Sequence, residues 1–221
     1  QRWEVPYIIR PCGMLDSYCL AHHKFRKTVY HFFLERYHLQ SAEAIHFTTE
    51  EEKERSVTGA LASRSVVVPL GLRTEDYAHL PPPGSFRSQF QNLDGRKIIA
   101  FLGRISFKKG LDVLIEAFSE LLEESKGIHC VIAGPDDEGY GKKLVRWIRE
   151  KGIGDYVTIL GFLDGEKKLA FLRDADIFCL PSHQENFGVA VVEAMAVGLP
   201  VVVSDQVNLH TEIESHQAGI A

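Results

Sequence analysis

Between residues 98 and 205 the chain alternates two hydrophobic periods, and this constrains its fold more than any other feature. IIAFLG (98–103), HCVIAG (129–134), YVTILGF (156–162), DIFCLPS (176–182) and PVVVSD (200–205) are short, nearly continuous apolar runs. Between them lie GLDVLIEAFSELLEE (110–124), GKKLVRWIREKG (141–152), EKKLAFLRDA (166–175) and FGVAVVEAMAVG (187–198), which carry helical spacing. A strand apolar on both faces must be covered on both faces. Following each strand with a helix does this only when the strands run parallel. The pattern predicts an α/β fold whose ligands sit at the carboxyl ends of the strands.

The first half is less complete. VPYIIR (5–10), AIHFTT (44–49) and SVVVPLG (65–71) read as strands, and helical spacing fills roughly 25–39. Thr49 followed by Glu50, Glu51 and Glu52 is a capping-box pattern that opens another helix. The stretch 73–95 contains Pro81-Pro82-Pro83-Gly84 and little periodicity, so it reads as a connector. The expected division is 1–71, a linker at 72–95, and 96–221. The chain opens at Gln1 close to a strand and stops after a helical pattern with Gly219 as its expected C-cap. It reads as a piece of a longer protein, cut at both ends.

A formal charge of −5 argues against a general nucleic-acid binder, which would carry a basic surface. The cysteines Cys12, Cys19, Cys130 and Cys179 form no C-x-x-C pair, so neither a zinc knuckle nor a thiol-redox site is expected. Cys130 and Cys179 lie in apolar runs and read as small core residues of a protein from a reducing cytosol. No apolar run is long enough to span a bilayer.

Two stretches carry chemistry. In FLGRISFKKG (101–110), Arg104 follows a strand-terminal glycine, and Lys108 and Lys109 precede a helix. Cations beside the free amides of a helix start suit phosphate. Taken alone, the loop reads better as a solvated basic surface, since surface Lys and Arg are common. In PSHQENFGVAVVEAMAV, Glu185 and Glu193 are eight positions apart. Asn186 is the expected N-cap, and Gly188 would let a ligand approach the first-turn amides. Glu193 has apolar neighbours on both sides, which an ordinary solvent-facing position would not require. A carboxylate accepts two vicinal hydroxyls at once, as a ribose presents them. That would place a nucleotide sugar with its diphosphate at the amides, its ribose at Glu193 and its sugar near Glu185.

These stretches resemble a known family. The E-x7-E block resembles the signature of retaining glycosyltransferase family 4, with its GT-B fold of two Rossmann-like domains with parallel sheets. FLGRISFKKGLDVLIEAF resembles that family's diphosphate loop, VIAGPDDEG the loop beside the nucleoside, and VTILGFL the strand that meets the base. VPYIIRPCGMLDSY and SAEAIHFTTEEEKE resemble the end of its acceptor-binding domain, and VVVPLGL the strand leading into its linker. The resemblance implies an incomplete acceptor-binding domain over 1–71 and a nearly complete donor domain over 96–221. It implies catalytic roles for Glu185, Arg104 and Lys109: the two cations hold the departing diphosphate, and Glu185 binds the transferred sugar. Donor contacts would come from Glu193 at the ribose, from Asn186, Phe187, Gly188 and Val189, and from Gly103, Gly134, Pro135 and the backbone of Phe162. Gly13 would lie on the acceptor side. Metal and cofactor are expected to be absent, the cations doing the work of a divalent ion. The donor would be a UDP-, GDP- or ADP-sugar, and the acceptor a glycan or a lipid-linked molecule in polysaccharide or cell-envelope synthesis. Cys12 stands where many family members carry histidine.

The cationic, aromatic stretch 22–38 is read either as a helix docking on an anionic membrane from the cytoplasmic side or as a solvated helix packed on its domain. Two other functions compete. A dehydrogenase-type dinucleotide binder would need G-x-G-x-x-G after a strand, which neither FLGRIS nor IAGPDD supplies. A non-catalytic nucleotide-sugar-binding module would share the same donor residues.

Overall fold

The computed structural model describes residues 5–16, 36–56 and 64–221. The chain forms two compact units, 1–71 and 72–221.

The first unit holds a three-stranded parallel sheet in the order β1 (Ile8–Ile9), β2 (Ala44–Phe47), β3 (Ser65–Val67). Helix α1 (Arg36–Ser41) precedes β2, and α2 (Glu50–Arg55) follows it. Leu15, Leu39, Ile45 and Phe47 form its small apolar core, with Ile9 and Val67 packed against them. The rest of the helical pattern expected over 25–39, most of the cationic stretch 22–38, and Cys19 lie outside the described residues. Thr49 caps α2, accepting the Glu52 amide at 2.9 Å. The reciprocal half of the expected capping box does not form. The Glu52 carboxylate is buried and instead accepts the amides of Gly13 (2.8 Å) and Thr48 (2.7 Å) and the Thr48 hydroxyl (2.8 Å).

The second unit is built on six parallel strands: β4 (Lys97–Leu102), β5 (Ile128–Ala133), β6 (Val157–Leu160), β7 (Ile177–Leu180), β8 (Val201–Val203) and β9 (Gly219–Ile220). Their spatial order is β6-β5-β4-β7-β8-β9. Helices α3 (Leu111–Glu124), α4 (Gly141–Glu150), α5 (Gly165–Asp174), α6 (Val189–Ala196) and α7 (His210–Ser215) connect them. The apolar runs become buried strands, as in β5, where Cys130, Val131, Ile132 and Ala133 have no exposure. From β4 the chain lays down β5 and β6 on one side, then returns to place β7 on the other. The order therefore reverses between β4 and β7. In an open parallel sheet such a reversal opens a crevice at the strands' carboxyl ends.

Three local expectations differ from what is observed. Helix α6 starts at Val189 rather than 187, with Gly188 as its N-cap at φ 77° and no capping by Asn186. Glu193 then lies about 6 Å along the axis from the helix start, one turn in. Gly219 is not a helix C-cap: it opens edge strand β9, paired with Val201, where a Cβ would meet the Val201 carbonyl oxygen at 2.0 Å. Finally, residues 72–95 lie within the second unit. The Asp174 carboxylate accepts the amides of Gly84 (2.7 Å), Phe86 (2.7 Å) and Arg87 (3.0 Å). Phe86 is buried against Phe171, and the Arg87 guanidinium donates to the carbonyls of Asp174 and Arg96 and to Asp176. Burial alone would raise the Asp176 carboxyl, but hydrogen bonds from Lys97, the Ile98 amide and Arg87 outweigh it and hold its pKa below the usual range.

Candidate active site

The loops after β4 and β7 meet at the reversal. Gly110 ends the first loop at φ 66° and caps α3. A Cβ there would lie 1.8 Å from the Pro181 carbonyl oxygen, so both conformation and space require glycine. The His183 amide donates to the Lys108 carbonyl at 2.9 Å. The His183 ring stacks on Phe107 at 4.7 Å and places Nε2 3.0 Å from Asp112 in the first turn of α3. Lys108 reaches Gln184 at 3.3 Å.

Across this seam Lys109 Nζ pairs with the Glu185 carboxylate, both side chains less than one-fifth exposed. The backbone of Glu185 is itself fixed. Its amide donates to the Gln206 carbonyl (3.0 Å), and its carbonyl accepts the Asn208 amide (3.1 Å). The carboxylate is thus held by main chain on one side and by a lysine on the other. Arg104 is exposed at the same strand end and, among the described residues, has no ion pair or side-chain hydrogen-bond partner. Phe187 is buried, Gly188 turns the chain, and Val189 is exposed at the start of α6.

A second seam joins the ends of β4, β5 and β6. Gly134 has φ 148°, and a Cβ on it would meet the Gly103 carbonyl oxygen at 1.9 Å. The Gly103 amide donates to Ala133, the Ile105 amide to Pro135, and the Gly134 amide to Gly161. Beside this seam opens a cavity of 610 Å³ walled by Ile105, Pro135, Val145 and Ile159, with Asp136 and Lys142 at its polar edge. Gly161 lines it, whereas Phe162 is 71% exposed and its side chain points to no part of it. Apolar walls with exposed main chain suit a flat heterocycle.

Glu193 is not left to await a ligand as its only partner, as its apolar neighbours suggested. Lys168 Nζ on α5 donates to its Oε1 at 2.6 Å. Tyr77, in the 3-10 turn Thr74–Tyr77, stands near the same carboxylate, and burial first, then the Glu193 charge, push its phenol up to about 12. Neither residue was singled out from sequence: Lys168 reads as an ordinary surface lysine, and Tyr77 sits in a stretch without periodicity. The same holds for Asp112 and His183.

Gly13 belongs to the first unit, where Glu52 holds its amide. Neighbouring Cys12 has φ 51° and an exposed free thiol that donates to the Arg10 carbonyl at 3.7 Å. Burial raises the Cys130 thiol above its ordinary value and pushes Cys179 up to about 11, so both remain protonated. Among the described residues no group of three or more His, Cys, Asp or Glu is arranged to hold a metal, and no helix is long and apolar enough to cross a membrane.

The chain is similar to known proteins. A family model described as glycosyl transferases group 1 matches residues 85–220. The D-inositol 3-phosphate glycosyltransferase of Nocardia farcinica is 30% identical over 99% of this chain and 50% of its own length. The alpha-D-kanosaminyltransferase of Streptomyces kanamyceticus is 34% identical over 58% of this chain and 33% of its own. The chain spans about half the length, or less, of the relatives it matches. Among solved structures, Anabaena HepE in complex with UDP and glucose superposes with a TM-score of 0.78 at 21% identity, covering 94% of this chain and 55% of HepE. WaaG, a glycosyltransferase involved in lipopolysaccharide biosynthesis, gives 0.73 at 17% identity, covering 96% and 60%. The fold is α/β with parallel sheets, shared with GT-B glycosyltransferases. The chain belongs to the group 1 glycosyltransferases.

Proposed function

We propose that this chain is the donor-binding half, with part of the acceptor-binding half, of a retaining glycosyltransferase of family 4. It would take a sugar from a UDP-, GDP- or ADP-sugar to a glycan or lipid-linked acceptor, in polysaccharide or cell-envelope synthesis. The observation that carries the reading is the Lys109–Glu185 pair at the sheet's reversal point. It joins the loop suited to a diphosphate to the loop suited to a sugar.

In this reading Arg104 and Lys109 face the diphosphate. As the glycosidic bond breaks, negative charge grows on the leaving phosphate, and the two cations stabilise it most in the transition state. The amides at Gly188 and Val189, freed by the late start of α6, add donors there. Glu185, with the backbone of Asn186 and Phe187, binds the transferred sugar. Glu193 takes the ribose hydroxyls. The base lies in the 610 Å³ cavity, lined by Gly134, Pro135 and Gly161, and the backbone of Phe162 is assigned to it as well. HepE, crystallised with UDP and glucose, supports a nucleotide-sugar donor. Transfer would need no metal, because Arg104 and Lys109 carry the charge a divalent ion would supply. Gly13 would face the acceptor, and the stretch 22–38 would touch an anionic membrane from the cytoplasmic side.

Turnover of the full-length enzyme against UDP-, GDP- and ADP-sugars tests the reading. One donor class should support transfer with retained anomeric configuration, unaffected by EDTA. Lys109→Ala should lower kcat as well as weaken donor binding. Loss of binding with unchanged kcat would instead favour a passive binding role for Lys109. The 221-residue chain by itself should bind the donor nucleotide weakly and transfer nothing.

A further inference from the structure

We propose that His183 and Asp112 are positioning residues for Lys109: together they lock the turn that carries it, so that its ammonium is aimed at the donor's diphosphate. This rests on the reading above, in which Lys109 faces the diphosphate.

Lys109 ends the 3-10 turn Phe107–Lys109, and Gly110 then caps α3. Within the turn the Lys109 amide donates to the Ser106 carbonyl at 3.2 Å, and the Gly110 amide to the Phe107 carbonyl at 3.1 Å. Both bonds lie inside the loop, so they set its shape and not its place. Its place is set from the loop after β7, where His183 meets the segment at three points. The His183 amide donates to the Lys108 carbonyl at 2.9 Å. Its ring stacks on Phe107, with centroids 4.7 Å apart and planes 29° from parallel. Its Nε2 lies 3.0 and 3.2 Å from the two carboxylate oxygens of Asp112. Phe107 is two residues before Lys109 and Asp112 three after, so one ring spans the stretch on which the lysine stands. Two residues beyond His183, Glu185 takes the Lys109 ammonium.

A carboxylate only accepts, so Nε2 carries the hydrogen in the contact with Asp112. Asp112 thereby fixes both the tautomer and the rotation of the ring, and that rotation lays the ring on Phe107. The position suits an anion, because Asp112 lies in the first turn of α3. Neither side chain is in the core: His183 is 28% and Asp112 34% exposed. A contact of that kind adds little to the stability of the unit. Its effect falls on the direction of Lys109. A lysine ammonium is a point charge on a flexible stem. It stabilises charge growing on a leaving phosphate only as far as it is already held in place. With the ring unlocked, Lys109 would keep its charge and lose part of that preorganisation.

Turnover of the full-length enzyme with the UDP-, GDP- or ADP-sugar that supports transfer, read as kcat/KM for the donor, tests this, together with urea unfolding of the same samples. His183→Phe keeps a ring over Phe107 and loses Nε2; Asp112→Ala loses the acceptor. Each should lower kcat/KM about threefold to tenfold, with its urea midpoint close to that of the unmodified enzyme. Asp112→Asn, whose side-chain oxygen still accepts from Nε2, should stay within about twofold. In a Lys109→Ala background His183→Phe and Asp112→Ala should lower kcat/KM no further, because they act through that lysine. If Lys109→Ala lowers kcat/KM while His183→Phe and Asp112→Ala do not, the positioning role is wrong and the diphosphate reading stands. If Lys109→Ala has no effect, or none of the three donor classes supports transfer, both fall together. Undiminished losses in the Lys109→Ala background would mean that the pair supports the fold and not the lysine. So would an Asp112→Asn enzyme as impaired as Asp112→Ala, or urea midpoints that fall in step with activity, and any of these overturns the inference.

Discussion

A Cβ at Gly110 would lie 1.8 Å from the carbonyl oxygen of Pro181, so the loop after β4 and the loop after β7 pack main chain on main chain. Any side chain there must push the loops apart, and at φ 66° it would also be strained. Gly110→Ala should destabilise the second unit by roughly 2–4 kcal/mol and abolish nucleotide binding. Urea unfolding and calorimetry on the same samples check both. A variant of normal stability that binds normally would show that the loops can separate without consequence.

Lys109 and Glu185 compensate one another in a setting less than one-fifth exposed. Lys109→Met leaves the carboxylate without its cation and should cost about 1–3 kcal/mol. Adding Glu185→Gln should return part of that stability, because no uncompensated charge remains. Activity should not return, since both groups are assigned to the donor. Chemical denaturation of the single and double variants gives the coupling, and turnover of the full-length enzyme gives the second half.

If Glu193 accepts both ribose hydroxyls, a 2′-deoxynucleotide leaves one acceptor position of a partly buried carboxylate unfilled. Binding of dUDP, dGDP or dADP should then be about tenfold weaker than that of its ribose counterpart. Competition calorimetry with the matched pair measures the ratio. Equal affinities would remove the ribose from Glu193.

His129 has no exposed surface and is held between Arg96 at Nδ1 (3.2 Å) and the Thr158 hydroxyl at Nε2 (2.9 Å). Burial first, and then the Arg96 charge, lower its pKa from 6.5 to about 4. The folded protein keeps this ring neutral in a range where the unfolded chain protonates it. Its contribution is therefore fully present above about pH 6.5 and is lost as the pH falls toward 4. Over that window the stability of the native chain should drop more steeply than that of His129→Gln. The difference in slope should approach about one proton. Parallel slopes would place the ring's titration elsewhere.

The class of fold and the succession of strands and helices along 98–205 are legible in local patterns. Strands such as 98–103 and 129–134 are apolar on both faces, and the helices between them carry one apolar stripe. Each property is local to a handful of consecutive residues, and burial acts on it directly. The spacing of Glu185 and Glu193 and the cations at 104–109 were visible for the same reason. Strand order, which puts β4 between β5 and β7 so that Lys109 meets Glu185 and Gly110 meets Pro181, is visible only in the folded chain. Folding alone supplied Lys168 as a partner for Glu193, laid residues 84–87 on Asp174, and turned Gly219 into an edge strand. These are contacts between residues far apart in the chain. Which of many chemically equivalent lysines, tyrosines or amides meets a given carboxylate depends on strand order and helix direction, and no pattern within either partner's own segment records that choice.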